Sequence, residues 1–418
     1  MDPREQVQNL VETFWAKGLP SFIPRSFVLP EVAGKIVAVI GMRRSGKTYC
    51  LFEHQAKLLK NKVKREQILY LNFEDERLLP LDAKAAGKLI DAYFDLYPDN
   101  HERTCYIFLD EIQQVDGWPS LLRRLLDSKN IRLFISGSSA KLLSKEIATS
   151  LRGRALSVQV WPFDFYEYLK AKKIKYSAPN TPAKRARSQQ YLMDYLACGG
   201  FPEITLLDEA LRTQILQAYL DTVIFRDMVE RYGLTKIGTV KYLLKTLLHQ
   251  SGQAFAVNKC YNDMKSQGLK IAKNTLHDYL GYIEDAFVVF TVPLFTDSLR
   301  KQHSNPRKIY AVDPGLVHAN FFFSTPHWGA LFENLVYLDL RRHGYEVFYY
   351  KNAQGYEVDF VARHPVKKTT QLWQVTLDAQ NDAAMEREQR ALSAAQRELG
   401  FQGEIIHLRN YEEWRRTL

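Results

Sequence analysis

Apolar and polar positions along the chain fall into blocks whose period changes. Residues 35–41 read "KIVAVIG", a nearly unbroken apolar run closed by glycine. A short polar loop follows, and then "KTYCLFEHQAKLLK" repeats its apolar positions at helical spacing. The pattern predicts strand, loop and helix. Three more apolar runs read as strands: "QILYLNFED" (67–75), "TCYIFLDEI" (104–112) and "IRLFISGSS" (131–139). Helical patterns lie between them, so the expectation is a parallel sheet covered on both faces.

Beyond this block the pattern changes again. Residues 161–233 are helical throughout and are expected to form a helical lid, with the basic stretch 170–188 as an exposed insertion. Residues 240–295 give three amphipathic segments with short polar joints, running into an apolar strand pair. That is the pattern of a winged helix-turn-helix, with 272–286 as third helix and 288–308 as wing. The last part opens on an amphipathic helix, "GALFENLVYLDLRRHG", and continues through "YEVFYYK", "YEVDFVAR" and "QLWQVTLD" to a polar helix and the strand "EIIHL". A separate α/β domain is expected there. The boundaries read as 1–165 for the sheet domain, 166–235 for the lid, 236–320 for the winged helix and 321–418 for the last domain.

Composition narrows this little. With 418 residues, 46% hydrophobic and 25% charged, the chain is globular, and several domains fit its length. A formal net charge of +10 would attract nucleic acid or an acidic partner. Cys50, Cys105, Cys198 and Cys260 are far apart, which excludes Cys-x-x-Cys zinc or redox chemistry and fits buried thiols in a reducing compartment. The start "MDPREQVQNL" carries charges where a signal peptide needs an apolar run, and "AFVVFTVPLF" is too short for the ~20 residues of a membrane helix. A cytoplasmic protein without membrane contact is expected.

The chemistry concentrates at "GMRRSGKT", residues 41–48, which fits G-x-x-x-x-G-K-[ST]. Glycines let backbone N–H groups converge on phosphate oxygens, and the helix that opens at Lys47 adds the positive end of its dipole. Gly41, Met42, Arg43, Arg44, Ser45, Gly46, Lys47, Thr48 and Tyr49 are therefore the candidate ATP-binding residues. Lys47 would neutralise the β and γ phosphates, and Thr48 would offer its hydroxyl to Mg2+. "YIFLDEI" ends an apolar strand in Asp110–Glu111, the place where a buried strand meets a nucleotide. Asp110 is the second expected Mg2+ contact, and Glu111 would orient and deprotonate the attacking water. Ser138 is a candidate sensor of the γ-phosphate. Arg152 and Arg154, in "LRGRA", are candidates for an arginine supplied to a neighbouring subunit, which would imply a homo-oligomer.

Several stretches together carry a family resemblance: "GMRRSGKT", "YLNFEDERL", "YIFLDEIQQVDGW", "FISGSSAKLLS" and "LRGRALSVQVWPFDFYEYL". They are very similar to the predicted AAA+-superfamily ATPases of bacteria and archaea that carry a C-terminal domain of unknown function. "GGFPEI", "DTVIFRDMVERYG", "KIYAVDPGL" and "GALFENLVYLDL" extend the resemblance over nearly the whole chain. It implies an α/β P-loop NTPase core of AAA+ type, a winged helix and a C-terminal restriction-endonuclease-like fold, and no known biological task.

Endonucleases of that fold hold Mg2+ with a helix acid, a strand Asp, and Glu-x-Lys on the next strand. Glu333 and Asp359 match the first two positions, but the third reads Gln374-Val375-Thr376. Glutamine is a weak metal ligand and threonine supplies no cation, so this domain is expected not to cut DNA. Glu333 and Asp359 would then be capping or salt-bridge residues. Asp378 would restore a metal site only with the strand out of register. Lys265, Lys270 and Lys273 around the third helix, with Arg300, Lys301, Arg307 and Lys308 around the wing, suit phosphate contacts beside a DNA groove. A packing role for the winged helix is the other reading.

The expectation is thus a Mg2+-dependent ATPase whose hydrolysis rearranges its other domains on or near DNA. The alternatives are a DNA-binding module in which ATP only sets conformation, and an ATP-gated, metal-dependent nuclease. A P-loop kinase fits the adjacent Asp110–Glu111 pair less well.

Overall fold

In the computed structural model, which describes residues 2–78, 80–138, 153–177, 181–320, 327–377 and 382–418, the apolar runs fold as strands with both faces covered. The chain divides into two units, Met1–Trp161 and Pro162–Leu418.

The first unit begins with α1 (Pro3–Lys17), β1 (Ile36–Ile40), α2 (Lys47–Lys60), β2 (Ile68–Asn72) and α3 (Ala83–Leu96). β3 (Cys105–Asp110), α4 (Trp118–Ser128), β4 (Ile131–Gly137) and β5 (Ala155–Gln159) complete it. The strands form one parallel sheet in the order β2-β3-β4-β1-β5. All five residues of β1 are buried, and each large aliphatic side chain contributes about 1.5–3 kcal/mol by leaving water. Val37, Val39, Leu51, Leu58, Phe108 and Phe134 share one core, where Phe108 and Phe134 stack at 4.8 Å. Sequence pattern missed two elements. β5 is a half-buried edge strand, so its sequence lacks a continuous apolar run. α1 buries only Val7 and Val11, too sparse a stripe to stand out.

One polar group sits inside this core. His54, on α2, is 3% exposed and lies 4.5 Å from the ring of Phe134. Burial, with the nearby charge of Lys57, lowers its pKa from 6.5 to about 4. Its Nε2 is 3.3 Å from a Glu31 carboxylate oxygen but makes no hydrogen bond there, so we treat the ring as neutral.

The helices expected as a lid belong to the second unit. These are α5 (Phe165–Ala171), α6 (Pro182–Cys198) and α7 (Glu209–Thr222), the last continuing into π-helical turns at Val223–Glu230. α6 and α7 both pack on α12 (Pro314–Ala319). The basic stretch 170–188 is not a single exposed insertion. Its last part opens α6, with the Thr181 side chain accepting from Lys184 N (3.3 Å) and Pro182 in the first turn, a signal that favours helix over loop.

Next come α8 (Ile237–His249), β6 (Ala254–Phe255), α9 (Val257–Ser266), α10 (Lys273–Asp285), β7 (Val289–Val292), α11 (Leu299–Ser304) and β8 (Arg307–Ala311). β8 is the middle strand of an antiparallel trio, β6-β8-β7. Its position corrects one sequence expectation: Lys308 is 3% exposed and cannot reach a DNA phosphate. Then α13 (Trp328–Arg342) precedes β9 (Glu346–Lys351), β10 (Glu357–His364) and β11 (Thr369–Val375), and α14 (Asp382–Leu399), β12 (Gly403–Ile406) and α15 (Tyr411–Arg415) end the chain. The sheet order is β12-β11-β10-β9, antiparallel except for the β11–β12 pair.

Buried charge ties this unit together. Arg415 pairs with Asp164 (2.8 Å) and Asp339 (3.1 Å), and Tyr411 donates to Asp339 (2.6 Å). Asp313, pushed up to about 6 by burial, accepts from Gly200 N (2.6 Å) and Leu316 N (2.9 Å). Gly200 also bonds Phe163 through its backbone, and a Cβ there would lie 2.0 Å from the Phe163 carbonyl oxygen.

Gly200→Ala should cost about 3 kcal/mol or more, because backbone atoms cannot yield as a side chain can. Gly238→Ala, at a helical site with nothing within 4 Å, should stabilise by about 0.5–1 kcal/mol. Urea midpoints of the two variants check this contrast. For His54, the unfolded chain takes up a proton near pH 6.5 while the folded ring resists until about pH 4. Stability should therefore fall by up to roughly 3 kcal/mol as pH drops across that window, and His54→Phe should flatten the fall. Denaturation of both proteins at a series of pH values measures it.

Candidate nucleotide site

The loop between β1 and α2 is built by backbone freedom. Gly41 has φ +147, and a Cβ on it would lie 2.3 Å from the Val160 carbonyl oxygen. Gly46 is left-handed (φ 98, ψ 23), and no side chain caps the helix that starts after it. The first N–H groups of α2 are thus left for an external acceptor. Lys47 is 5% exposed and folds back over the loop, its Nζ donating to the carbonyl oxygens of Gly41 and Met42, each at 3.2 Å. The same Nζ is 4.0 Å from Glu111. Ser45 Oγ is buried in the loop and has no hydrogen-bond partner among the described residues.

Opposite Lys47 stand the two acids that end β3. Asp110 is fully buried. Tyr70 on β2 donates to its Oδ2 (2.8 Å), Ser136 on β4 donates to its Oδ1, and the Thr48 hydroxyl lies near enough to favour its charged form. Burial, followed by the charge of Glu111, pushes the Asp110 pKa up, and the three hydroxyls hold it back. Burial and the Asp110 charge push the Tyr70 phenol up as well, so Tyr70 remains a donor. Glu111 adopts a left-handed backbone, φ 53 and ψ 49, a conformation that costs a residue with a side chain of order 1–3 kcal/mol. Its N–H donates to Ser136 Oγ (3.0 Å), and Gln113 donates to its carboxylate. Ser136 therefore fixes both acids at once.

These features fit a Mg2+-bound triphosphate. A cradle that a Cβ would fill, an orphaned serine hydroxyl, a buried ammonium resting on carbonyl oxygens and a hydroxyl–carboxylate pair are the donor set that such a ligand needs. Thr48 and Asp110, both oxygen donors, are the residues that could hold the metal.

The other expected site residues are distributed as follows. Met42 is buried in the loop, Arg43 lies 3.4 Å from Glu74, and Arg44 is exposed with φ 67. Tyr49 faces outward on α2, edge-on to Phe52 at 5.9 Å. Ser138 is buried just past β4. Arg154 precedes β5, its carbonyl accepts from Ile36 N, and its guanidinium pairs with Asp127 (2.5 Å). Ile36 starts β1 and the loop follows its end, so Arg154 stands at the opposite end of the sheet from the loop of its own chain. Arg152 lies outside the described residues.

Sequence reading overlooked Tyr70 and Ser136. A signal existed for the second: side chains alternate along a strand, so Ser136 shares a face with Ser138. Nothing marked Tyr70 among the apolar residues of β2.

In the second unit the structure brings Glu333, Asp359 and Gln374 together. Gln374 Oε1 accepts from Asp359 N (3.1 Å), and Gln374 Nε2 donates to Glu388 (2.5 Å). Lys308 reaches both acids, at 3.2 Å from Glu333 and 2.7 Å from Asp359. Asp378 lies outside the described residues.

Comparison with known proteins agrees with the loop geometry. The AAA domain family matches residues 33–169, and two domains of unknown function, DUF8612 and DUF4143, match residues 189–326 and 328–412. The uncharacterized protein MJ1544 of Methanocaldococcus jannaschii is 35% identical over 395 residues, 94% of this chain and 85% of that protein. An uncharacterized protein of Haemophilus influenzae is 31% identical, over 78% of this chain and 79% of its own length. Among solved structures, the ORC2 protein of Aeropyrum pernix, described in ADPNP–ADP complexes, aligns over 76% of this chain and 92% of its own at 12% identity and a TM-score of 0.37. So loose a likeness adds nothing to what the site itself shows. No described helix is long and apolar enough to cross a membrane. The chain belongs to one family with MJ1544, and its first unit is an AAA-type P-loop ATPase domain.

Proposed function

We propose that the first unit hydrolyses ATP with Mg2+ and that turnover rearranges the remaining domains, on or near DNA. The observation that carries this reading is the convergence of Lys47, Asp110 and Glu111 at the mouth of one glycine loop. The loop and α2 N–H groups hold the phosphates, and Lys47 exchanges its two carbonyl contacts for phosphate oxygens. Thr48 and Asp110 hold the metal, which when bound neutralises charge on the β and γ oxygens. Glu111 accepts the proton of the attacking water, its carboxylate aimed by Gln113 and its backbone by Ser136. Arg152 and Arg154 serve a neighbouring copy. The position of Arg154, at the far end of the sheet from its own loop, supports action between chains and a homo-oligomer.

In the second unit, the order of α8 to β8, with three helices before β7, the short α11 between β7 and β8, and an antiparallel three-stranded sheet, supports a winged helix. Lys265, Lys270 and Lys273 are exposed around its third helix, and Arg300 and Lys301 beyond β7, which supports backbone contacts to DNA. A helix, three antiparallel strands, a second helix and a parallel strand support the restriction-endonuclease-like fold for α13 to β12, without cutting activity.

Lys47→Ala should abolish ATP binding, while Glu111→Gln should bind ATP and lose turnover by two or more orders of magnitude. Phosphate release and nucleotide binding, each with and without DNA, measure this; a wild-type protein with no turnover rejects the reading. Tyr70→Phe should raise the Mg2+ concentration for half-maximal activity about 10-fold, since it frees one oxygen of a metal-holding carboxylate. Mg2+ titration at saturating ATP reads that shift, with metal-free ATP binding as the unchanged control.

A further inference from the structure

The cluster around Lys308 has a chemistry of its own. Its Nζ lies 2.7 Å from Asp359 Oδ1, 3.0 Å from Glu357 Oε1 and 3.2 Å from Glu333 Oε1. An ammonium has three N–H donors and no more; here it donates to Asp359 and Glu333 and forms an ion pair with Glu357. Neighbouring groups engage two of the acids as well. Tyr310 donates to Glu333 Oε1 (2.7 Å), and Asp359 Oδ2 accepts from Val375 N (3.0 Å). The three acids come from two elements, α13 and β10, and the cation from a third, β8.

Such a convergence of carboxylates is what a hard divalent ion takes, at 2.0–2.6 Å from each oxygen. Here the centre is filled by the chain itself. Lys308 pairs with Ala254 on one side and Val292 on the other, in the middle strand of its sheet. Pairing on both sides fixes its backbone and so tethers the ammonium within reach of the acids. Among the described residues of the chain as it stands, no group of three or more acids, histidines or cysteines is set to hold a metal ion.

We propose that Lys308 is the resident cation of this carboxylate site, standing where a divalent metal would otherwise bind, so that removing its side chain uncovers a divalent-cation site. The protein thus carries a latent metal site whose metal has been replaced by a covalently attached ammonium. Thr376, two residues after Gln374, supplies no cation; the cation comes from another strand, β8. This inference does not rest on the nucleotide reading, because it concerns the second unit and is tested without nucleotide.

The test uses the full chain, nucleotide-free, with Mn2+ as probe. Free Mn2+ is followed by electron paramagnetic resonance and stability by thermal melting. Wild type should bind no Mn2+ at the cluster and melt at the same temperature with and without it. Lys308→Ala should melt lower in chelator, bind one Mn2+ per chain, and regain several degrees when the ion is added. Adding Asp359→Asn to that variant should remove both effects. If Lys308→Ala does not fold in chelator, recovery on refolding with Mn2+ supports the proposal and failure to recover overturns it. Wild-type Mn2+ binding that Asp359→Asn abolishes also overturns it, as does a folded Lys308→Ala indifferent to the ion.

Discussion

Three hydroxyl groups from three separate elements gather around the buried carboxylate of Asp110, and the end of the first unit that bears the glycine loop depends on that meeting. A carboxylate without partners in such a core would cost several kcal/mol. Tyr70, Ser136 and Thr48 offset the cost, and they do so only if β2, β3, β4 and α2 are all in register. A slip of one residue in β2 or β4 would turn its hydroxyl to the opposite face of the sheet. The same hydrogen bonds that allow the acid to be buried therefore fix the sheet that positions it. Glu111, one residue on, takes its strained backbone from the same arrangement, since its N–H is held by the serine that holds Asp110.

The second unit relies on buried charge in another way. Arg415 joins Asp164, near the start of this unit, to Asp339 in the last turn of α13. Asp313 ties the turn at Gly200 to the start of α12. Buried ion pairs add little net stability compared with apolar packing of equal volume, but losing one partner is costly. Their effect here is to make one arrangement of distant segments far better than any other. A chain end that holds only a short helix, α15, is fixed by such contacts and by the packing of Trp414.

Much of this was legible in the sequence. Four of the five strands of the first sheet announce themselves as unbroken apolar runs, because a central parallel strand is buried on both faces. The glycine loop is equally plain, because its glycines answer to a backbone requirement that no other residue meets. What escaped was of two kinds. Edge strand β5 and the sparse helix α1 bury too little to leave a periodic mark. Tyr70 and Ser136 look ordinary where they stand, and their roles come from strands that are neighbours in space but distant in the chain. The expected phosphate contact at Lys308 failed for the same reason, since sequence shows that a residue is charged but not what it faces.

The two buried lysines make the difference between the units explicit. Lys47 rests on two neutral carbonyl oxygens, with its nearest carboxylate 4.0 Å away. Neutral acceptors are readily exchanged for charged ones, because a hydrogen bond to a charged group is roughly twice as strong. An arriving phosphate therefore gains a cation whose previous partners it outcompetes. Lys308 has nothing to gain by such an exchange: it already donates to two carboxylates and pairs with a third, all within 3.2 Å. An anion would have to displace acids of its own charge, and a metal would have to displace a cation tethered to the middle of a sheet. Two ammonium groups of equal burial thus differ in whether their acceptors can be bettered, and that difference makes one a binding site and the other a closure.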